Sequence, residues 1–470
     1  MLFTQLTFVV FLVLVLVGNW LTCRWSLANR LFLLGASLCF FAYWSAFDFC
    51  VFVGVTAANA ACMAGVQRAK SDGVRRACVW LSVLTGLGTI GCFKYRQFLW
   101  NNLAQLAGCC GWQWEPSAGG LVIPLAISFY TFQQMSIVID VYRGQYRISS
   151  LLNYLLYVAF FPHLLAGPIV RGGELLPQIE LPPRQRAYNW SEGLFNFFGG
   201  WFLKVAVGDH LSDIIDPFWN DAALATLSTA DAWCLALMYS AQIFADFAGY
   251  SFMAIGVAHL LGFTLPDNFR APYLACSFSS FWRRWHITLS TFLRDYLYIG
   301  LLGGNRVSRG RVYVNLLLTM IIGGLWHGAA WTFVLWGAVH GLGLAVERGL
   351  RINDRAKTNL GLRAAWYLFV QFSVLLAWVL FRSPSMAFAA EFISRLLLLE
   401  GHALNSTLAP VLSYGLVLIV PVIVYHAWHV YPKLEAFGQW LPMRGALTGA
   451  LVYGVLAMPH LPQGFIYFVF

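Results

Sequence analysis

The chain has 470 residues, of which 59% are hydrophobic and only 11% are charged. A soluble globular domain carries roughly 25% charged residues because its surface must be solvated, so this composition excludes an ordinary soluble protein. The net charge of +10 requires no nucleic-acid partner, since basic loops beside anionic headgroups already account for it.

Long apolar stretches recur along the whole chain and determine the predicted fold class. They include Leu6 to Leu21, Phe32 to Phe47, Cys78 to Cys92, Ala329 to Val346 and Val411 to Val424. A helix of about 20 such residues crosses the hydrocarbon core with its backbone polar groups paired internally. We therefore predict an all-α polytopic membrane protein with roughly 11 to 13 membrane helices.

Basic residues cluster in alternate loops and predict an orientation. Loops that carry an excess of Lys and Arg face the cytoplasm. The segment from Asn101 to Gly120 is almost free of them and is expected outside, as is the N-terminus. The basic loops contain Arg24, Arg30, Arg68, Lys70, Arg75, Arg76, Arg143 and Arg147.

No linker, low-complexity tract or internal repeat divides the sequence. We therefore predict one integral-membrane domain over residues 1–470, without a separate soluble domain. The ten cysteines are scattered through apolar segments with no zinc-like spacing, so they are interpreted as small hydrophobic side chains and no metal is expected. Cys109 and Cys110, which are adjacent and predicted outside, could be oxidised.

Two regions interrupt the regular apolar pattern. Leu151 to Val170 contains two prolines and a glycine, which favours a broken or re-entrant segment. Pro266 to Gly310 interleaves arginines with aromatic residues and is predicted to form an amphipathic helix at the membrane interface. Its guanidinium groups would bind lipid phosphate, and equally the diphosphate of coenzyme A.

Few ionisable residues lie within apolar segments, and such residues by default mark a site or a pathway. His327 is distinctive because it lies between glycines in the segment Gly323 to Gly328, where a ligand could approach the ring. A desolvated imidazole stays uncharged and can accept a proton, although an interhelical hydrogen-bonding histidine is the alternative. The clearest members of this set are Asp140, Lys204, Asp246, His259, His327, His340, Glu347 and His426.

Several motifs, in order along nearly the whole chain, resemble those of the membrane-bound O-acyltransferase (MBOAT) family, in its bacterial branch that modifies exported polysaccharides. The strongest is Phe281-Trp-Arg-Arg-Trp-His-Ile-Thr-Leu-Ser290, which continues through Phe292 to Tyr298 and Gly303 to Arg306. A second histidine block covers Gly323 to Gly328 and Trp336 to Gly341. Further similar pieces are Ile123 to Gln133, Ile139 to Arg143, Phe161 to Arg171, Phe244 to Ser251 and Phe465 to Phe468.

The resemblance implies a ring of tilted helices around a central funnel or tunnel. It also implies His327 as the catalytic base, with His286 as the histidine of the arginine and tryptophan motif. His286 could orient or gate rather than take a proton. The residues expected to contact coenzyme A are Arg283, Arg284, Trp285, Asp295, Asn305, Arg306 and Trp326.

The implied function is transfer of acetyl from cytosolic acetyl-CoA, a donor substrate rather than a resident cofactor, for O-acetylation of an exported, alginate-like polysaccharide. The implied location is the bacterial inner membrane, with the N-terminus in the periplasm and a periplasmic SGNH-type acetyltransferase as partner. Alternatives within the enzyme class are O-acetylation of peptidoglycan or cellulose, and export of D-alanine from a carrier protein. A transporter or channel, or a non-catalytic scaffold, would be a different class of protein.

Overall fold

The computed structural model describes residues 1–112, 121–165, 167–356, 358–398, 409–431, 438 and 440–458. They form two compact units. The first unit contains Met1–Gly193 and Ala254–Pro266, and the second contains Leu194–Met253 and Asp267–Phe470. Two of the three boundaries, at 193/194 and 253/254, fall within helices, and the third, at 266/267, falls in a non-helical segment. The single domain over residues 1–470 stays a prediction.

The described residues form helices and no strand, so their backbone donors and acceptors are paired within each segment. The helices of the first unit are α1 (Leu6–Thr22), α2 (Ser26–Ala42), α3 (Ala46–Arg68), α4 (Asp72–Ile90), α5 (Arg96–Cys109), α6 (Ile127–Tyr142), α7 (Leu151–Ala159), α8 (Phe161–Leu164) and α9 (Gly172–Glu180). A π-helical turn, Gly91–Tyr95, joins α4 to α5.

Two helices extend from the residues of one unit into those of the other, α10 (Trp190–Phe202) and α13 (Thr229–Leu260). Between them lie a π-helical segment, Leu203–Asp209, and the short helices α11 (His210–Ile215) and α12 (Asp221–Leu224).

The second unit continues with short elements and then with long helices. The short elements are α14 (Phe278–Trp282), α15 (Ile287–Phe292) and the π-helical segment Leu293–Leu301. The remaining helices are α16 (Arg309–His327), α17 (Trp331–Gly349), α18 (Ile352–Arg355), α19 (Leu360–Arg382), α20 (Met386–Leu396), α21 (Ala409–Leu418), α22 (Val420–Trp428) and α23 (Leu441–Ala457).

Apolar helices long enough to cross a bilayer occur in both units. In the described part of the chain, five stretches qualify by length and composition, and α1, α2 and α23 are shorter apolar helices. The prediction of an all-α polytopic membrane protein is confirmed, while the count of 11 to 13 spans and the ring around a funnel stay predictions. The five stretches are Ala46–Arg68, Asp72–Cys109, Thr229–Leu260, Leu360–Arg382 and Ala409–Trp428.

The apolar stretch Phe32 to Phe47 is not one helix. α2 ends at Ala42, and α3 begins at Ala46. The hydroxyl of Ser45 accepts a hydrogen bond of 3.3 Å from the backbone N–H of Asp48, which caps the new helix. The hydrophobicity of the stretch does not predict this break between two helices, because the capping residue, Ser45, is a single polar residue.

The stretch Leu151 to Val170 is broken, as predicted. α7 ends where Phe160 takes a ψ of 104°, and α8 then has only four residues. The chain passes so close to itself that a Cβ on Gly167 would lie 2.5 Å from the Cα of His163, so glycine is required there. Whether the segment is re-entrant stays a prediction.

The prediction of one continuous amphipathic helix between Pro266 and Gly310 is wrong, and the placement of this segment at the membrane interface stays a prediction. α14 ends at Trp282, and His286 has a left-handed backbone with φ of 42°, which interrupts any continuous right-handed helix. The side chains of Phe281, Trp282 and Trp285 are buried within the second unit instead of lying at its surface. Packing of these rings against α17 and α19 favours the broken path over an exposed helix.

α16 and α17 form a helical hairpin joined by residues 328–330. Their backbones touch at two glycines. A Cβ on Gly324 would overlap the carbonyl of Phe333, and a Cβ on Gly337 would overlap the carbonyl of Met320. Small residues at a helix contact permit this approach in a membrane protein, and here they hold the end of α16 against α17.

Candidate active site

His327 is the last residue of α16 and is only 3% exposed. The helix ends there because Gly328 has an extended backbone, with φ of −157°. The imidazole makes edge contacts with Trp326, Trp336 and Phe381, at centroid distances of 4.9, 5.1 and 5.3 Å. Aromatic rings from α16, α17 and α19 therefore surround the predicted base.

His286 lies beside His327 although 41 positions, from 286 to 327, separate them in the chain. Its ring is wholly buried, with its centroid 6.3 Å from that of His327 and 6.0 Å from that of Trp326. Phe247 of α13 closes the other side at 4.7 Å. The structure thus brings together both predicted catalytic histidines and one predicted donor-binding residue, Trp326.

The His286 ring is held by a hydrogen bond as well as by packing. Its Nδ1 lies 3.1 Å from Oδ1 of Asn268. Burial lowers the pKa of the His286 imidazole to about 3, because water is excluded from the charged form. This histidine is therefore neutral at physiological pH.

A cluster of aromatic side chains, which we call the aromatic cluster, continues from these two histidines through the second unit. Trp285 stacks on Phe281 at 5.9 Å and lies 4.7 Å from Trp378. His340 packs against Trp282 and Trp336, and neither of its ring nitrogens has a hydrogen-bond partner among the described residues. The aromatic cluster consists of Phe281, Trp282, Trp285, Trp326, Trp336, His340, Trp378 and Phe381.

The carboxylate of Glu347 joins α17 to α14. It accepts hydrogen bonds from the backbone N–H groups of Phe278 and Ser279, at 2.7 and 3.3 Å, and from the side-chain amide of Asn353 at 2.8 Å. A carboxylate at a helix N-terminus is stabilised by the donors exposed there. Glu347 therefore anchors the segment that leads to His286.

The predicted donor-binding residues fall into two groups. Trp285 and Trp326 belong to the buried aromatic cluster. Arg283 is exposed, and half-buried Arg284 donates to the backbone carbonyl of Arg270 at 3.2 Å.

The other predicted donor-binding residues lie in the π-helical segment Leu293–Leu301 or just after it. Asp295 forms a two-point ion pair with Arg294 at 2.6 and 3.1 Å. Oδ1 of Asn305 accepts hydrogen bonds from the hydroxyl of Tyr298 at 2.7 Å and from Arg348 at 3.0 Å, and Arg306 is exposed. These contacts are with Arg294, Tyr298 and Arg348, and none of them is with the two histidines.

Lys204 and Asp246, which also suit an ion pathway, form part of a buried charge cluster. Nζ of Lys204 lies 2.5 Å from Oδ1 of Asp209 and also contacts Asp246. Ion pairing of this kind compensates the cost of burying each charge. In the part of the chain that the structure describes, no three His, Cys, Asp or Glu side chains converge as a metal site would require.

Two polar residues at the site, Asn268 and Ser251, could not be recognised from the sequence. Ser251 is only the last residue of one of the family-like motifs, and Asn268 belongs to none of them. A buried asparagine between Asp267 and Phe269 gives no local signal of a contact with His286, because that contact spans 18 positions. The similar piece Phe465 to Phe468 and residues 113–120 lie outside the described residues.

A family model of the membrane-bound O-acyltransferases (MBOAT) matches residues 142–383, a range that includes both histidines and the glycine hairpin. Together with the apolar helices, this match defines an acyltransferase embedded in a membrane. The chain belongs to the MBOAT family, and it is an O-acyltransferase.

Curated relatives cover most of the chain. A probable alginate O-acetylase AlgI of Azotobacter vinelandii is 41% identical over 76% of this chain and 70% of its own length. A peptidoglycan O-acetyltransferase of Helicobacter pylori is 36% identical over 80% of this chain and 75% of its own length. A teichoic acid D-alanyltransferase of Streptococcus thermophilus is 29% identical over 50% of this chain and 59% of its own length.

Proposed function

We propose that this enzyme takes acetyl from cytosolic acetyl-CoA and passes it to a hydroxyl for O-acetylation of an exported, alginate-like polysaccharide. The observation that carries the proposal is the pair of buried histidines whose ring centroids lie 6.3 Å apart beside the aromatic cluster. The similarity to alginate O-acetylases at 41% identity supports the acetyl group and the polymer class.

In the proposed reaction His327 is the general base. Its imidazole takes the proton of the acceptor hydroxyl as the hydroxyl oxygen attacks the thioester carbonyl carbon. The carbon–sulfur bond then breaks, and the coenzyme A thiolate takes the proton back from the imidazolium. The aromatic cluster excludes water, which would otherwise hydrolyse the thioester.

The donor is proposed to enter from the cytoplasm, with its diphosphate held by guanidinium groups. The acceptor side is the periplasm, where an SGNH-type acetyltransferase would complete the transfer to sugar. This arrangement belongs in the bacterial inner membrane, with the N-terminus in the periplasm. The proposed donor contacts are Arg283, Arg284, Trp285, Asp295, Asn305, Arg306 and Trp326.

A second candidate is O-acetylation of peptidoglycan. It is favoured by the Helicobacter pylori relative, which is 36% identical over 80% of this chain. The reaction chemistry would be the same, and the acceptor polymer would differ. Transfer of labelled acetyl to purified alginate or to peptidoglycan, with the periplasmic partner present, separates the two.

The test of the base is thiol release from acetyl-CoA by purified protein in nanodiscs, with the partner and acceptor present. His327→Ala is expected to lower the rate by about 100-fold or more, because a positioned acid or base contributes about 10² to 10⁴. The matched control is His429→Ala, a half-buried histidine just after α22 whose ring packs on Tyr425 and whose Nδ1 lies 2.9 Å from the carbonyl of that residue.

Equal thiol release by folded His327→Ala protein would refute the base assignment. Inactive His429→Ala protein would mean that the assay reports folding instead of chemistry. Solute flux through liposomes without thiol release would replace the enzyme mechanism with transport.

A further inference from the structure

Asn268 is a wholly buried side chain that binds the segment around His286 at several points. Its backbone carbonyl accepts the N–H of Ile287 at 3.0 Å. Its Oδ1 accepts the N–H of Thr288 at 3.3 Å and the hydroxyl of Thr288 at 2.9 Å, and it lies 3.1 Å from Nδ1 of His286. Its Nδ2 donates to the hydroxyl of Ser251 in α13 at 3.1 Å.

The orientation of the Asn268 amide follows from these partners. The backbone N–H of Thr288 can only donate, so the atom of Asn268 that faces it must be the carbonyl oxygen. A reversed amide would place an NH₂ group against that N–H, leaving both donors buried without an acceptor. The hydroxyl of Ser251, which can donate or accept, receives the amide N–H on the opposite side and is compatible with this orientation.

The orientation of Asn268 then determines the tautomer of His286. Because Oδ1 is an acceptor only, the Nδ1 that faces it must carry the ring proton. A neutral imidazole has one N–H, so Nε2 carries the lone pair. Nε2 is buried and has no hydrogen-bond partner among the described residues.

Asn268 also supports a strained backbone. His286 has φ of 42° and ψ of 53°, a left-handed conformation that is unfavourable for a residue with a side chain. The bonds from Asn268 to residues 287 and 288 hold the chain immediately after this residue. The unfavourable conformation turns the His286 ring into the aromatic cluster, 6.3 Å from His327.

We propose that Asn268, with Ser251 behind its amide, is a positioning residue that holds His286 in the Nδ1–H tautomer with its Nε2 lone pair available for proton transfer. The inference rests on the proposed function, because it assigns His286 a part in that reaction. Asn268 acts through His286 and contacts no substrate.

The experiment compares Asn268→Ala with Asn268→Asp in the nanodisc thiol-release assay. For Asn268→Ala we expect kcat to fall by about 10- to 100-fold, with an unchanged KM for acetyl-CoA. This is at most the lower limit of the contribution of about 10² to 10⁴ from a positioned acid or base, because Asn268 acts through His286. The aspartate keeps an acceptor oxygen facing Nδ1 and Thr288, so we expect it to recover kcat to within about tenfold of the unmodified enzyme.

Nitrogen-15 spectra of histidine-labelled enzyme give a readout that a structural role would not change. The His286 signals are identified by their loss in His286→Gln. We expect an Nδ1–H ring in the unmodified enzyme and in Asn268→Asp, and a mixture of tautomers in Asn268→Ala. Asn59→Ala is the matched control, because Asn59 is a wholly buried asparagine of the first unit that bonds to Ser82 and Val55.

A His286 proton on Nε2 in the unmodified enzyme would overturn the inference, whatever the activities. Unchanged kcat in Asn268→Ala, with His327→Ala inactive, would overturn it while leaving the proposed function intact. Activity in His327→Ala would instead overturn the assignment of His327 as the base. The nitrogen-15 spectra would still report the tautomer of His286, so the two outcomes are distinguishable. If Asn268→Ala does not fold, Ser251→Ala removes only the support behind the amide, and unaltered tautomer and kcat in that variant would count against the inference.

Discussion

The buried histidines of the second unit are held in different ways. His286 has a hydrogen bond from Nδ1 to Asn268, and the ring of His327 makes edge contacts with tryptophan and phenylalanine. His340 lies in the same aromatic cluster, and neither of its nitrogens has a hydrogen-bond partner among the described residues. An imidazole buried in this manner has no fixed tautomer, so we interpret His340 as part of the packing.

His340→Phe tests this interpretation, since it keeps a flat ring between Trp282 and Trp336 and removes two polar atoms. Burying an unsatisfied polar group costs about 1 to 3 kcal/mol, so we expect the melting temperature in detergent to stay the same or to rise. The rate of thiol release should remain within about threefold of that of the unmodified enzyme. A threefold change corresponds to a change of less than about 1 kcal/mol in the activation free energy. A tenfold loss of activity at an unchanged melting temperature would assign His340 a part in the chemistry.

At the scale of helices, the hairpin of α16 and α17 determines where His327 lies. The hairpin is closed by glycines, and the histidine is the residue at which α16 ends. The position of the base therefore depends on how closely two backbones approach, several residues away from the ring. Packed helices respond to added volume by shifting, and a shift at Gly337 is transmitted to the end of α16.

Gly337→Ala is expected to open the hairpin, because its Cβ would overlap the carbonyl of Met320. Overpacking of this kind costs about 1 to 3 kcal/mol in stability. A displacement of the base by about 1 Å can cost about 100-fold in rate, so we expect thiol release to fall by at least tenfold. Thermal unfolding and thiol release are measured on the same preparation.

The control for this substitution is Gly310→Ala, in the first turn of α16. A Cβ there meets nothing within 4 Å. Alanine is favoured over glycine in a helix by about 1 kcal/mol, so we expect equal or greater stability and unchanged activity. If both variants lose activity alike, close approach at Gly337 is not the cause.

At the scale of the whole molecule, 30 Lys and Arg against 20 Asp and Glu give a net charge of +10, and the clustering of basic residues in alternate loops predicts an orientation. The basic loops are predicted to face the cytoplasm, which leaves the end of α5 outside. Cys109 and Cys110 lie at that end, and both are exposed free thiols. They provide native probes of the predicted topology.

A membrane-impermeant maleimide is expected to label Cys109 and Cys110 in intact cells, once the other eight of the ten cysteines are replaced. Ser71→Cys in a cysteine-free background, in a loop predicted to be cytoplasmic, should react only after permeabilisation. The opposite pattern would place the N-terminus in the cytoplasm and reverse the orientation.

Much of the candidate site could be predicted from local sequence. The His327 glycine motif and the Trp285-His286 motif mark residues that the fold brings to one cluster. The path between Pro266 and Gly310 could not be predicted from alternating arginine and aromatic residues. That pattern fits an interfacial helix as well as it fits the broken, buried path. Only the residues that pack against the aromatic rings distinguish the two.

The sequence by itself determined the membrane class, the all-α architecture and the family, because hydrophobicity, helical length and motif order are carried by neighbouring residues. Only the tertiary structure decided the left-handed turn at His286, the contact of its ring with Asn268, and the closeness of the two histidines. Those features depend on free energies of packing and hydrogen bonding between residues far apart in the chain, such as the 18 positions between Asn268 and His286.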